Sequence, residues 1–167
     1  YDLNNLKIVF VTGTNGKSSI VEFYRQMMLM SKKKVATIGT LGTIINNNKK
    51  NLSTLTTPGI INLHKTLQKL KKKEINNVII ETSSHGLKQG RLDGIKFKIG
   101  IFTNLSHDHL DYHKTMKDYF KSKMILFKNN LKKKGDVIIS SKINEFKKIK
   151  KITKKKRLKI YLTDKME

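Results

Sequence analysis

The sequence predicts an α/β chain built on a doubly wound, mostly parallel sheet, with a P-loop-like phosphate site after its first strand and a small β-hairpin insertion. Three observations lead there. Short β-branched runs alternate with longer segments whose apolar residues recur at helical spacing. The runs are apolar throughout instead of alternating, as strands covered on both faces must be. The first of them, Ile8-Val9-Phe10-Val11, feeds directly into Thr12-Gly13-Thr14-Asn15-Gly16-Lys17-Ser18, a glycine-rich turn ending in Lys-Ser. At 167 residues the chain is one domain's worth, enough for a real core.

The expected strands are 7–12, 35–39, 77–81, 98–103, 137–140 and 158–162. Each is a short Val/Ile-rich run bounded by turn residues. Helices are expected at 18–30, where Ile20, Phe23, Tyr24, Met27 and Met28 keep helical spacing, at 60–72, at 116–131 and, with a weaker pattern, at 143–152. The segment Thr43 to Ser53, with Asn46-Asn47-Asn48 at its centre, reads as the hairpin. In such a sheet ligands bind beyond the carboxyl ends of the strands. The polar motifs obey that rule: Gly39-Thr40-Leu41-Gly42 follows the second strand, Glu81-Thr82-Ser83-Ser84-His85-Gly86-Leu87 closes the third, and Thr103 to His113 follows the fourth.

The formal charge of +24 points at first to nucleic acid or an anionic surface. Nearly all of the excess is lysine, with arginine only at positions 25, 91 and 157, alongside abundant Asn and Ile and the lone alanine Ala36. This is the usage of an A/T-rich coding sequence. The runs Lys32–Lys34, Lys71–Lys73, Lys132–Lys134 and Lys154–Lys156 therefore read as solvated helix ends and loops. With no tryptophan for base stacking and few arginines for base reading, neither nucleic acid nor membrane is expected as a partner. The absence of cysteine removes disulfides and thiolate chemistry, and a cytoplasmic setting is expected. The chain opens at Tyr1, not Met, and ends at Glu167 just after a strand-like run, so it reads as a piece of a longer protein.

Residue chemistry suggests a division of labour. Gly13 and Gly16 allow backbone N–H groups to turn inward on phosphate oxygens, with Thr14 and Asn15 completing the cradle. Lys17 supplies a mobile positive charge, and the Ser18 hydroxyl at a helix start suits Mg²⁺. Strict P-loop spacing is not met, because Val11 stands where the first glycine belongs. Glu81, at the end of a buried strand, is placed as a second oxygen ligand opposite Ser18. The cluster His107-Asp108-His109-Leu110-Asp111-Tyr112-His113 holds three histidines and two aspartates in seven residues but matches no standard zinc spacing. His107 reads as a solvated loop residue, whereas His109 and His113 fall near the start of the next helix.

The motifs TGTNGKS, GTLG, TTPG, ETSSHGL with Gln89-x-Arg91, FTNLSxDHLDYH and Tyr119-Phe120-Lys121-Ser122-Lys123 stand in the order and spacing of the Mur ligases. Between about Lys7 and Ser140 the chain resembles the central ATP-binding domain of that family, in the branch that adds the third residue of the peptidoglycan stem peptide. The resemblance implies an ATP-dependent, ADP-forming ligation of an amino acid, meso-diaminopimelate or L-lysine, to UDP-MurNAc-L-Ala-D-Glu through an acyl phosphate. It implies that Lys17 contacts the β- and γ-phosphates, that Ser18 and Glu81 hold one Mg²⁺, and that Glu81 and His109 hold a second, with His109 in the catalytic set. It also implies that Lys123 is carbamylated and completes the second metal site, and that Thr56, Thr57, Ser83, Gln89 and Arg91 bind the UDP-muramoyl dipeptide. A monomer is expected. Domains for the uridine nucleotide and the incoming amino acid, which the family carries on either side, are not found in these 167 residues. One departure is local: after the strand at 137–140 the chain reads Ser140-Ser141-Lys142-Ile143, where the family usually shows an Asn-x-Asp-Asp-like turn. Folylpolyglutamate synthases share the phosphate loop and are the nearest alternative, and a lysine-rich anion binder is another.

Overall fold

A computed structural model describes residues 3–51 and 55–165. Eight strands form one sheet: β1 (Lys7–Thr12), β2 (Val35–Gly39), β3 (Gly42–Ile45), β4 (Asn48–Asn51), β5 (Asn77–Glu81), β6 (Phe97–Phe102), β7 (Leu131–Ile139) and β8 (Lys159–Leu162). Their spatial order is β4-β3-β2-β5-β1-β6-β7-β8. The six strands from β2 to β8 run parallel, and β3 and β4 extend one edge as an antiparallel hairpin. This is the expected architecture. The far end of the expected hairpin, Ser53, lies outside the described residues.

Side-chain alternation explains why these strands are apolar throughout. Ile8 and Phe10 of β1 join Ala36, Ile38, Val78 and Ile80 on one face, against Leu63, Leu67 and Leu70 of α2 (Ile60–Lys72) and Met124 of α5 (Met116–Ile125). Val9 and Val11 point to the other face and join Ile79 and Val21 of α1 (Lys17–Met30). With a period of two and both faces covered, no position in β1 after Lys7 is left for a polar side chain except its terminal threonine. Ile149 of α6 (Phe146–Lys156) packs into the first cluster, below β7 and β8.

Register puts the chemistry at one rim. Val11 lies level with Glu81 across β1 and β5, and Thr12 lies level with Phe102 across β1 and β6. The phosphate turn, the end of β5 and the loop after β6 thus leave the sheet side by side.

Three expected boundaries move. The helix expected over 116–131 gives way after Ile125 to a π-helical turn, Leu126–Asn130, that buries Leu126, Phe127 and Asn130. β7 begins at Leu131 instead of Val137. It pairs with β6 at Phe97, loops out through Lys132–Lys134 and re-enters register at Asp136 opposite Ile99. The three lysines are exposed on that excursion, solvated as composition suggested. The last helix occupies Phe146–Lys156. Two short helices were not foreseen: α3 (Ser84–Lys88), capped by the Ser83 hydroxyl accepting from Gly86 N–H, and α4 (Leu110–His113). Among the described residues no helix is long and apolar enough to cross a membrane.

Candidate functional site

The phosphate turn is held by the loop that follows β6. Thr14 N–H donates to Asn104 O at 3.0 Å, Asn15 N–H to the Asn104 side-chain oxygen at 2.9 Å, and Ser106 N–H to Thr14 Oγ1 at 3.0 Å. Gly13 sits at φ +147°, and a Cβ there would lie 1.8 Å from Thr103 Oγ1, so only glycine admits this contact. Lys17 opens α1, and its ammonium folds back on the turn, donating to Thr14 O at 2.7 Å and Gly13 O at 3.1 Å. Burial holds its pKa below the usual lysine range, and the nearby Glu81 and Asp108 oppose that shift.

Glu81 is buried to 1% exposure and surrounded by hydroxyls. Its Oε2 accepts from Ser18 Oγ at 3.1 Å and Thr40 Oγ1 at 3.0 Å, and Thr40 in turn meets Thr56 Oγ1 at 3.1 Å. The GTLG motif explains itself here. A Cβ on Gly39 would lie 2.4 Å from Glu81 Oε1, so the glycine clears space for the carboxylate. Since the atoms in the way are the end of a side chain, Gly39→Ala should move the carboxylate, not the backbone. The expected result is a stability loss of about 1 kcal/mol in thermal unfolding together with a strong loss of Mg²⁺-dependent activity in the complete protein. An unaltered Mg²⁺ dependence would show that the Glu81 position is unimportant.

The residues expected to bind the second substrate form one connected network. Thr57 Oγ1 donates to Glu81 O at 3.2 Å, accepts from Ser83 N–H at 2.9 Å and meets Ser83 Oγ at 3.2 Å. Arg91 donates through Nη1 to Thr57 O and through Nη2 to Gln89 Oε1, both at 2.6 Å, and Gln89 reaches Tyr112 Oη at 3.4 Å. With the Thr56–Thr40–Glu81–Ser18 chain, all five positions connect through Glu81 to the start of α1.

Lys123 is the unusual group. It is buried to 1% exposure on α5, its Nζ donates to Gly13 O at 2.7 Å, and it stands 4.2 Å from the centre of the Tyr119 ring. Burial, with the repulsion of Lys17 added, pushes its pKa down to about 7. Tyr119 Oη in turn meets Thr14 Oγ1 at 3.2 Å, so α5 braces the phosphate turn from beneath. His109 lies at the rim with φ +53°, its ring 3.5 Å from Asp108 Oδ2 and edge-on to His85 and Tyr119. His107 is exposed.

Ser18 and Glu81 are thus placed together as oxygen donors at a helix start, which fits a hard cation. A buried hydroxyl without a protein partner among the described residues, Thr82 Oγ1, follows Glu81 in sequence. Among the described residues no group of three or more His, Asp and Glu side chains converges.

Residues 11–167 match the family described as the Mur ligase middle domain. The chain belongs to the Mur ligase family. The match runs past Ser140 to Glu167, so the Ser140-Ser141-Lys142 turn is a local variation and the register continues through β8, where Ile139 pairs with Leu162. The UDP-N-acetylmuramoyl-L-alanyl-D-glutamate–2,6-diaminopimelate ligase of Rickettsia bellii is 41% identical over 155 residues, 91% of this chain and 33% of that protein. A solved structure of a ligase with the same name superposes with a TM-score of 0.81 at 34% identity, covering 94% of this chain and 31% of the other. A Yersinia pestis folylpolyglutamate synthase/dihydrofolate synthase superposes with a TM-score of 0.72 over 96% of this chain and 43% of its own, but at 15% identity, a likeness of fold alone. This Mur ligase domain spans about a third of the length of the curated relatives it matches.

Proposed function

We propose that this Mur ligase domain is the ATP-binding part of an enzyme that joins diaminopimelate to UDP-MurNAc-L-Ala-D-Glu in bacterial cytoplasmic peptidoglycan synthesis. The observation that carries the reading is the buried Glu81 carboxylate facing Ser18 at the mouth of the Lys17 turn. In this reading Lys17 leaves Gly13 O and Thr14 O for the outer phosphates of ATP, and backbone N–H groups of Gly13 to Ser18 cradle the rest. Ser18 and Glu81 would hold one Mg²⁺, and Glu81, His109 and a carbamylated Lys123 a second; the metals supply charge neutralisation on the transferring phosphoryl group.

The dipeptide substrate's terminal carboxylate attacks the γ-phosphorus in line, releasing ADP and leaving an acyl phosphate. The amine of diaminopimelate then attacks the acyl carbon, the C–O bond to phosphate breaks, and amide and inorganic phosphate form. Arg91, whose guanidinium carries further N–H groups beyond those donated to Thr57 O and Gln89 Oε1, suits an anionic group of the dipeptide substrate, and Thr56, Thr57, Ser83 and Gln89 supply neutral hydrogen bonds around it. Carbamylation at Lys123 converts R–NH₂ and CO₂ into R–NH–COO⁻ and a proton. The depressed pKa supports that step by leaving much of the amine unprotonated at neutral pH.

The test is substrate selection by the complete protein. ADP release is expected only when UDP-MurNAc-L-Ala-D-Glu and diaminopimelate are both present. Turnover with a folate and glutamate, and none with the muramoyl dipeptide, would overturn the reading.

A further inference from the structure

His113 closes the HDHLDYH cluster, yet it is buried to 1% exposure and both ring nitrogens are engaged. Nε2 meets Ser84 Oγ at 2.8 Å and Nδ1 meets Ser122 Oγ at 3.4 Å. The proton positions follow from Ser122. Ser122 Oγ lies 2.9 Å from Asp118 O, which can only accept, and 3.4 Å from Nδ1, so its single hydrogen goes to the closer carbonyl and toward His113 it accepts. Nδ1 therefore carries the hydrogen, Nε2 is bare, and Ser84 donates to it. No lone pair is left for a metal. Burial, with His85, Lys88 and Lys123 nearby, pushes the pKa down to about 4, in keeping with a neutral ring.

The partners of this ring are placed where they matter. Ser84 follows Ser83 and opens α3, which packs on α5. Ser122 immediately precedes Lys123. The face of the His113 ring lies against Tyr119, with centroids 5.1 Å apart, and Tyr119 carries Lys123 over its own ring and Thr14 on its hydroxyl. One imidazole thus touches the segments that bear the expected dipeptide-binding serine, the buried lysine and, through one tyrosine, the phosphate turn.

We propose that His113 is a positioning residue: held in its Nδ1–H form between Ser84 and Ser122, it sets the distance between the Lys123-bearing helix and the Ser83 loop. The inference rests on the ligase reading for its catalytic consequence but not for its geometry. Removing a group that only orients others costs alignment, so turnover falls while ground-state affinities stay near their original values.

The experiment uses the complete protein with ¹⁵N-labelled histidine, and the variants Ser84→Ala, Ser122→Ala, the double variant, His113→Ala and His113→Asn. Long-range ¹H–¹⁵N spectra should show His113 as a neutral Nδ1–H ring. Each serine variant should lower kcat about 10-fold, with KM for ATP and the dipeptide within about 2-fold, and by more than its modest fall in thermal midpoint accounts for. The double variant should lose less than the product of the singles, because both act through one ring. Asn keeps a donor near the Nδ1 position and should recover part of what Ala loses. An Nε2–H ring, wild-type kcat in both serine variants, or losses that merely follow a lowered midpoint would overturn the proposal. If His113→Ala does not fold, the serine variants still decide. Absence of ligation by the unaltered protein would count against the ligase reading alone, and the NMR spectra would then judge the clamp.

Discussion

Lys17→Ala in the complete ligase is expected to lower kcat by about a thousand-fold or more while leaving the fold intact. Lys17 contributes the cation of the glycine turn, and its ammonium bonds to the carbonyls of Gly13 and Thr14. Those bonds are local, the side chain is half-buried, and none of its contacts joins the two apolar clusters. The stability change should stay within about 0.5 kcal/mol, read as the thermal midpoint of unfolding. Charge developing on the transferring phosphoryl group would lose a preorganised partner, which costs far more in the transition state than in the folded resting protein. Near-normal turnover in this variant would remove the phosphate assignment. A large fall in the midpoint would instead mean that the turn depends on Lys17 for its shape.

The second large effect is expected at Lys123. Its amine is buried against Gly13 O and the Tyr119 ring, where a permanent ammonium beside Lys17 is disfavoured. A carbamate adds an anionic oxygen ligand at the same place. Lys123→Met keeps most of the buried stem but cannot take up CO₂, and it should lose about as much activity as Lys123→Ala while staying nearer to the original stability. Formate or acetate should restore part of the Lys123→Ala activity by supplying the missing carboxylate. Lys121, two positions earlier, is an exposed partner of Asp118 at 3.7 Å, and Lys121→Ala should remain active. Equal losses at both lysines, or full activity in Lys123→Met, would contradict a special role for Lys123.

The legible and illegible parts of this chain differ for physical reasons. β1, β2, β5 and α2 fall on their expected boundaries because burial on both faces, or a clear helical stripe, is a local pattern. The start of β7 was hidden because Lys132–Lys134 loop out of the ladder, and a run of lysines has neither strand alternation nor an apolar face. The site shows the same division. The Lys17 turn announces itself by two glycines ending in Lys-Ser directly after an apolar strand, and Glu81 by its place at a strand end. Lys123 has no local signature in a lysine-rich chain, since its burial comes from α5 lying beneath the phosphate turn, and only its motif marked it. His113 stands near an expected helix start, and nothing local shows that Ser84 and Ser122, 29 and 9 residues away, enclose it. Tyr119 joins Thr14 and Lys123 through contacts that span 105 and 4 residues, and the first of these has no local signature. The one cue in the sequence is Ser-Ser-His together with Tyr-x-x-Ser-Lys, small hydroxyls next to His85 and Lys123.

The most direct measurement of the central claim follows oxygen. The complete ligase is supplied with UDP-MurNAc-L-Ala-D-Glu labelled with ¹⁸O in its terminal carboxylates, with ATP and diaminopimelate, and the released phosphate is analysed by mass. If the carboxylate attacks the γ-phosphorus at the Lys17 turn and the amine later displaces phosphate, one ¹⁸O atom from the substrate ends in each phosphate. Unlabelled phosphate accompanying amide formation would contradict the account.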